Sequence, residues 1–411
     1  MPEDTQLNFE QVINAPADLI YRAFTSQVGL REWLCDMSIT NPTKEGGIYL
    51  VWDQGYFASG KYTAVNPNKV VSFTWIGKDE PGWSQVDVVI VPLDNGAHKI
   101  VLRHSGLGDS EAWNEARQNI SKGWKLGLDN LKSILEEGLD LRVVNRPMIG
   151  FFPYAYDNYT EAEKIKFGFP VDYGVMVSNV VPNYGADKAG LRSDDLIVGI
   201  EDQKVDTVKT LLGIIKNFSA GEQISIQAYR GSEKLTFLVD TTPQLTQTLP
   251  GSPEELAKEI QADRASLLDS LEKILTGLND AEASYSPDPE KWSVKETLVH
   301  FILHERNLQT WVNDLVSDVA CLCDVNPNHS LVRIRATLTS YPTLVDLMAE
   351  LQRTYKETVA LVAFLESSFT QRKASYWRVR FELLDKYLGY QEHIRRMAEM
   401  IVSVRREIST S

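Results

Sequence analysis

Residues 173–200 read YGVMVSNVVPNYGADKAGLRSDDLIVGI, and the order of elements in this stretch decides the fold of the middle of the chain. Tyr173-Gly174 is a glycine turn that feeds a run from Val175 to Val181, rich in the β-branched residues of a strand. Asn183 to Leu191 predicts a short helix ended by Gly190, because glycine accepts the left-handed conformation that closes a helix. Asp194 to Ile200 predicts a second strand. Outward from there, Thr207 to Phe218 predicts a helix with Leu211, Leu212 and Ile215 as its inner face. Gln223 to Tyr229 and Lys234 to Asp240 predict a strand pair joined by Arg230-Gly231-Ser232.

Over residues 146–242 this succession resembles PDZ domains, in particular the bacterial protease-associated type. The resemblance is carried by Gly174-Val175-Met176-Val177, Ala186-x-x-Ala189-Gly190-Leu191 and Asp195-x-Ile197, with Gln203 at the place of the usual turn glycine. It implies binding of a protein C-terminus or extended peptide by strand addition beside Val175, Met176 and Val177. The peptide carboxylate would take amides of the turn Tyr173, Gly174 and Val175, and Val208 and Leu211 would wall the side-chain pocket. No Gly-x-Ser-x-Gly motif or matching triad accompanies it.

Toward the N-terminus, residues 1–140 alternate short strands between two helices. Leu7–Ile13 predicts a strand, and Pro16 suits the first turn of a helix carrying Leu19, Ile20, Ala23 and Phe24. Strands are expected around Ile48–Trp52, Gly60–Val65, Val70–Ile76, Gln85–Pro92 and His98–His104, with Asp94-Asn95-Gly96 as a hairpin turn. Ile120, Trp124, Leu128, Leu131 and Leu135 stripe a long closing helix from Trp113 to about Glu137. A bent sheet gripping one long helix encloses an apolar cavity, for which Trp52, Trp75 and Trp124 are the lining candidates. His98 and His104 flank one strand and are expected at the surface or edge, with no metal role. Ala15-Pro16, Ala23-Phe24-Thr25, Trp33, Glu45-Gly46-Gly47, Gly60-Lys61-Tyr62, Val70 to Trp75 and Gly123-Trp124 together resemble the heat-shock-protein-90 ATPase activator-like family of the START-like (SRPBCC) superfamily. That resemblance implies a helix-grip fold and binding of a lipid-like or aromatic small molecule.

Residues 252–409 are helical in pattern. Glu254–Leu278 carries Leu256, Ile260, Leu267, Leu271 and Leu275, and Ser293 with Glu296 forms a capping box ahead of Leu298, Val299, Ile302 and Leu303. Leu344 to about Phe364 and Tyr376 to Ile408 complete an expected four-helix bundle. Trp292-Ser293-Val294-Lys295-Glu296, Leu298, His300, Glu392-His393 and Ile401 resemble the DinB-like superfamily. The resemblance implies a divalent metal held by three histidines. His300 and His393 match two of them, and Met397, a poor ligand for Zn or Ni, stands at the third. His304, one turn from His300, is the substitute, with Glu305 and Glu392 as oxygen donors.

The expected fold class is thus multidomain α+β: a helix-grip START-like domain, a PDZ β-barrel-like domain and an all-α four-helix bundle. A formal net charge of -14 over 411 residues repels phosphate backbones and anionic membranes, so no nucleic-acid partner is expected. Cys35, Cys321 and Cys323 make no disulfide framework. The start MPEDTQLNFE has no signal-peptide pattern, and no apolar run is long enough for a membrane span. These features give a cytoplasmic expectation. The first functional reading is a non-enzymatic adaptor joining a hydrophobic small-molecule cavity to a peptide groove, without a cofactor and with homodimerisation open. The alternatives are a DinB-type metal-dependent thiol transferase or hydrolase holding Zn or Ni, and a stress- or chaperone-linked accessory protein.

Overall fold

A computed structural model describes residues 5–53, 55–243, 249–286, 292–319, 330–384 and 389–410. The chain is α+β and divides into two compact units: residues 1–140 with 249–411, and residues 141–248. No helix among the described residues is long and apolar enough to cross a membrane.

The first unit opens with β1 (Thr5–Ile13), α1 (Ala17–Thr25) and α2 (Gln27–Trp33). Next come β2 (Met37–Thr40), β3 (Gly47–Val51), β4 (Phe57–Asn66), β5 (Val70–Gly77), β6 (Ser84–Pro92) and β7 (His98–Leu107), then α3 (Glu111–Glu137). The strands form one antiparallel sheet in the order β1-β7-β6-β5-β4-β3-β2. Along β6 the period-2 alternation places Val86, Val88 and Ile90 inside. A register shift between Tyr62 and Ala64 marks a bulge of the kind that bends a sheet. α3 buries the expected stripe of Ile120, Trp124, Leu128 and Leu131 and stops at Gly138 in the left-handed region. β2 and α2 are too short to show a period and have no counterpart among the sequence expectations.

The second unit contains α4 (Leu141–Val144), β8 (Phe151–Ala155), α5 (Glu161–Phe167), β9 (Val175–Val180), α6 (Gly185–Ala189), β10 (Leu196–Ile200), β11 (Gln203–Lys204), α7 (Val208–Ile215), β12 (Gln223–Arg230) and β13 (Glu233–Asp240). The sheet order is β13-β12-β10-β9-β8, with β11 on β10. Both faces are covered. Val175, Val177 and Ile197 pack with Leu211 and Ile214 on one side. Met176, Leu196 and Val198 meet Tyr156, Tyr159, Phe167 and Phe169 on the other. That second aromatic layer explains why Val175-Met176-Val177 of β9 is apolar at every position rather than alternating.

The chain then returns to the first unit as helices: α8 (Pro253–Leu275), α9 (Asp280–Ser284), α10 (Val294–Val316), α11 (Leu331–Ser340), α12 (Leu344–Ala363), α13 (Lys373–Leu383) and α14 (Gly389–Thr410). The capping box forms as read, Ser293 accepting from the Glu296 N–H and Glu296 from the Ser293 N–H. The helix expected from Tyr376 to Ile408 is two helices, α13 and α14. Cys321 and Cys323 lie outside the described residues.

These helices and the N-terminal sheet bury separate cores but share a seam. Val28 of α2 sits in the helical core, and Ala374 of α13 in the core of the sheet. Full burial of a valine side chain contributes about 1.5–3 kcal/mol. Arg22 donates to Asp318 through Nε (2.9 Å) and Nη2 (2.6 Å), and to Glu32 through Nη1 (2.8 Å). Ser375 Oγ donates to Glu32, and Lys373 Nζ to the Glu136 carbonyl. Arg22 and Asp318 are 296 residues apart.

Candidate functional site

The edge of the second unit's sheet is the feature most open to a partner. β9 is hydrogen-bonded on both sides. Val175 and Met176 face Ile197 and Leu196 of β10, while Val175, Met176 and Val177 face Ala155, Tyr154 and Pro153 of β8. A peptide therefore has no free edge beside Val175–Val177, contrary to the sequence expectation. The turn before β9 is committed too. The Tyr173 ring lies 3.7 Å beneath the Lys204 ammonium. Gly174, at φ +141°, is there because a Cβ would stand 2.8 Å from the Ile197 carbonyl oxygen.

The outermost strand is β8, which among the described residues pairs only with β9 and lies alongside α7. All five of its residues are half-buried, as on a strand with one open side. The segment before it, Met148-Ile149-Gly150, is anchored from behind. Met148 exchanges both backbone hydrogen bonds with Thr242 (2.7 and 2.9 Å), Ile149 O accepts from Ala186 N (2.8 Å), and Gly150 O from Val181 N (2.8 Å). The Ile149 and Gly150 N–H groups donate to nothing among the described residues. Gly150 sits at φ +89° with the Tyr184 Cβ only 2.0 Å from where its own Cβ would be, so no other residue fits.

α7 supplies the opposite wall, one register step from the expected one. Leu211 is 1% exposed and belongs to the core with Ile214. Leu212, expected inside, is 53% exposed. It shares a helix face with half-buried Val208 and Ile215 through i,i+4 and i,i+3 spacing. The groove residues are therefore Phe151, Val208, Leu212 and Ile215; only Val208 keeps its expected role.

In the N-terminal sheet, Trp75 lies between Trp52 and Trp124, with ring centroids 6.3 and 5.7 Å apart. The three rings do meet, and they pack on one another. Trp52 Nε1 donates to the Leu34 carbonyl (2.6 Å) and Trp75 Nε1 to Glu80 (3.2 Å). The Tyr56 hydroxyl also donates to Glu80 (2.6 Å); burial, reinforced by that carboxylate, raises its phenol well above the usual range.

His104 corrects the sequence reading, since it is fully buried rather than at a surface or edge. Trp124 Nε1 donates to His104 Nδ1 (3.0 Å), which places the ring proton on Nε2. Nε2 then donates to Ser84 Oγ (2.8 Å), and Ser84 donates to the Trp75 carbonyl (3.1 Å). With its Nε2 already protonated, this imidazole is not placed to take a proton from Ser84, so the pair is a structural relay and not a base with its nucleophile. Burial pushes the His104 pKa down to about 4.

In the helices, His300 is buried with its ring 5.3 Å from that of His393 and 6.3 Å from that of His304. The Trp292 ring lies tilted against it with centroids 5.0 Å apart, and Met397 is buried. Glu305, the expected oxygen donor, faces Arg264 at 3.2 Å with both side chains buried, and a guanidinium there opposes a second cation. The Glu392 side chain lies outside the described residues. Among the described residues no three His, Cys, Asp or Glu side chains come together to share an ion.

Comparison with known proteins places these features. Residues 14–136 match the family model "Activator of Hsp90 ATPase homolog 1-like protein", and residues 147–241 match the PDZ domain model. The serine protease Do-like HtrA of Bacillus subtilis is 29% identical over 150 residues, covering 35% of this chain and 32% of that protein. A probable periplasmic serine endoprotease DegP-like of Rickettsia prowazekii is 25% identical over 177 residues, covering 43% and 34%. The chain thus spans about a third of the length of these relatives. The Aha1 dimer from Colwellia psychrerythraea is 22% identical, covering 33% of this chain and 98% of that one, with a TM-score of 0.30.

Proposed function

We propose that this protein is an adaptor whose second unit captures the C-terminal end of an extended polypeptide along β8. The observation that carries the reading is the open edge of β8 beside the apolar face of α7. Strand addition supplies main-chain hydrogen bonds, and the pocket supplies selectivity. The terminal carboxylate takes the N–H groups of Ile149 and Gly150, and apolar side chains of the peptide rest on Phe151, Val208, Leu212 and Ile215. The match of residues 147–241 to PDZ domains supports the same site.

Calorimetric titration with peptides ending in an apolar residue tests it. Amidating the peptide terminus is expected to weaken binding about tenfold or more, since a hydrogen bond to a charged group contributes about 1.5–3 kcal/mol. Leu212→Asp, an exposed change, is expected to do the same while leaving the fold intact. Equal binding of free and amidated peptides, or an unaffected Leu212→Asp, would refute this placement.

A further inference from the structure

A cavity of about 480 Å³ opens on the seam of the first unit, outside both sites described above. Leu19, Tyr21 and Arg22 of α1 and Pro42 line it from the sheet side, and Asp318 and Arg372 from the helical side. Its size falls within the roughly 300–1,000 Å³ of small-molecule sites. Arg22 is spent on Asp318 and Glu32. Arg372 is not: of its five N–H donors, Nη1 reaches the Val316 carbonyl (3.2 Å) and Nη2 stands 3.4 Å from Asp318. The Asp318 backbone is held at φ +55°, a conformation uncommon outside glycine, in the geometry that turns its carboxylate onto Arg22. Asp18, also in the lining, is exposed in the first turn of α1 and makes no ion pair among the described residues. Tyr21 adds a phenol hydroxyl.

Two arginines and two aspartates leave the lining formally neutral. A dianion such as phosphate would meet Asp18 uncompensated, while the arginines already share their charge with Asp318. A molecule with one positive and one negative end matches both. We propose that this cavity binds a small zwitterion of the amino-acid class, its carboxylate on Arg372 and Tyr21 and its ammonium on Asp18. Such a ligand touches both halves of the unit and so stabilises their seam by mass action.

The test is calorimetric titration of the full chain with the common L-amino acids, each alone, and with inorganic phosphate. At least one amino acid is expected to bind, and its affinity to fall about tenfold or more in both Arg372→Gln and Asp18→Asn. Asp18→Asn is exposed and is expected to keep the wild-type urea midpoint, so weakened binding there is not lost folding. Phosphate bound in preference to every amino acid, no binding at all, or unchanged affinity in Asp18→Asn overturns the assignment.

Discussion

Arg264→Met is expected to cost the first unit about 3–5 kcal/mol in urea denaturation, because it removes the guanidinium that faces the Glu305 carboxylate in the helical core. Arg264 and Glu305 are 2% and 0% exposed and meet at 3.2 Å, and the guanidinium lies 5.4 Å over the Tyr355 ring. Methionine replaces much of the lost volume, so the penalty reports the broken ion pair rather than a void. Arg264→Met with Glu305→Met removes both charges, and most of the stability is expected to return, often the case when an apolar pair replaces a buried ion pair. If the single and double variants were equally unstable, the cost would lie in packing.

The second large effect is pH dependence at His104. Its folded-state pKa is about 4, and the ordinary value is 6.5. Folding therefore favours the neutral ring, and the contribution is complete above pH 6.5. It is lost progressively as the pH falls from 6.5 through 4, where the unfolded chain takes up a proton that the folded core refuses. A shift of this size corresponds to about 3 kcal/mol. The carboxylates titrate in the same window, so the measurement is the difference between the wild type and His104→Gln. That difference is expected to shrink by about 3 kcal/mol from pH 7 to pH 4. Parallel stability curves would mean that the imidazole is charged without penalty.

Periodic signals were legible in the sequence, and signals that depend on what lies beside a strand were not. The stripe Ile120–Leu131, the box Ser293–Glu296 and the Gly96 hairpin turn (φ +82°) obey local rules and appear in the structure. The sheet's edge is a different kind of fact, because β9 and β8 are both apolar and only the pairing reveals which is outermost. Pro153 was the available clue, since proline cannot donate to a ladder and settles on edge strands or at bulges. It sits in β8 at a register shift. His104 looked peripheral because one residue of a strand carries no sign of which face is covered, and its partners Ser84 and Trp124 are each 20 residues away. The Arg22–Asp318 pair spans most of the chain and has no local signature. The His393 and His304 rings stand 5.3 and 6.3 Å from that of His300, and the Arg264–Glu305 pairing near them depends on helix packing that no local pattern shows.

Amide hydrogen exchange with and without a bound C-terminal peptide distinguishes peptide addition at β8 from addition at β9. Slowed exchange is expected at Ile149, Gly150 and the amides of Phe151, Phe152, Tyr154 and Ala155, with Val175–Val177 unchanged because their strand is paired on both sides without a ligand. Protection that appears at Val175–Val177 and leaves β8 untouched would contradict it.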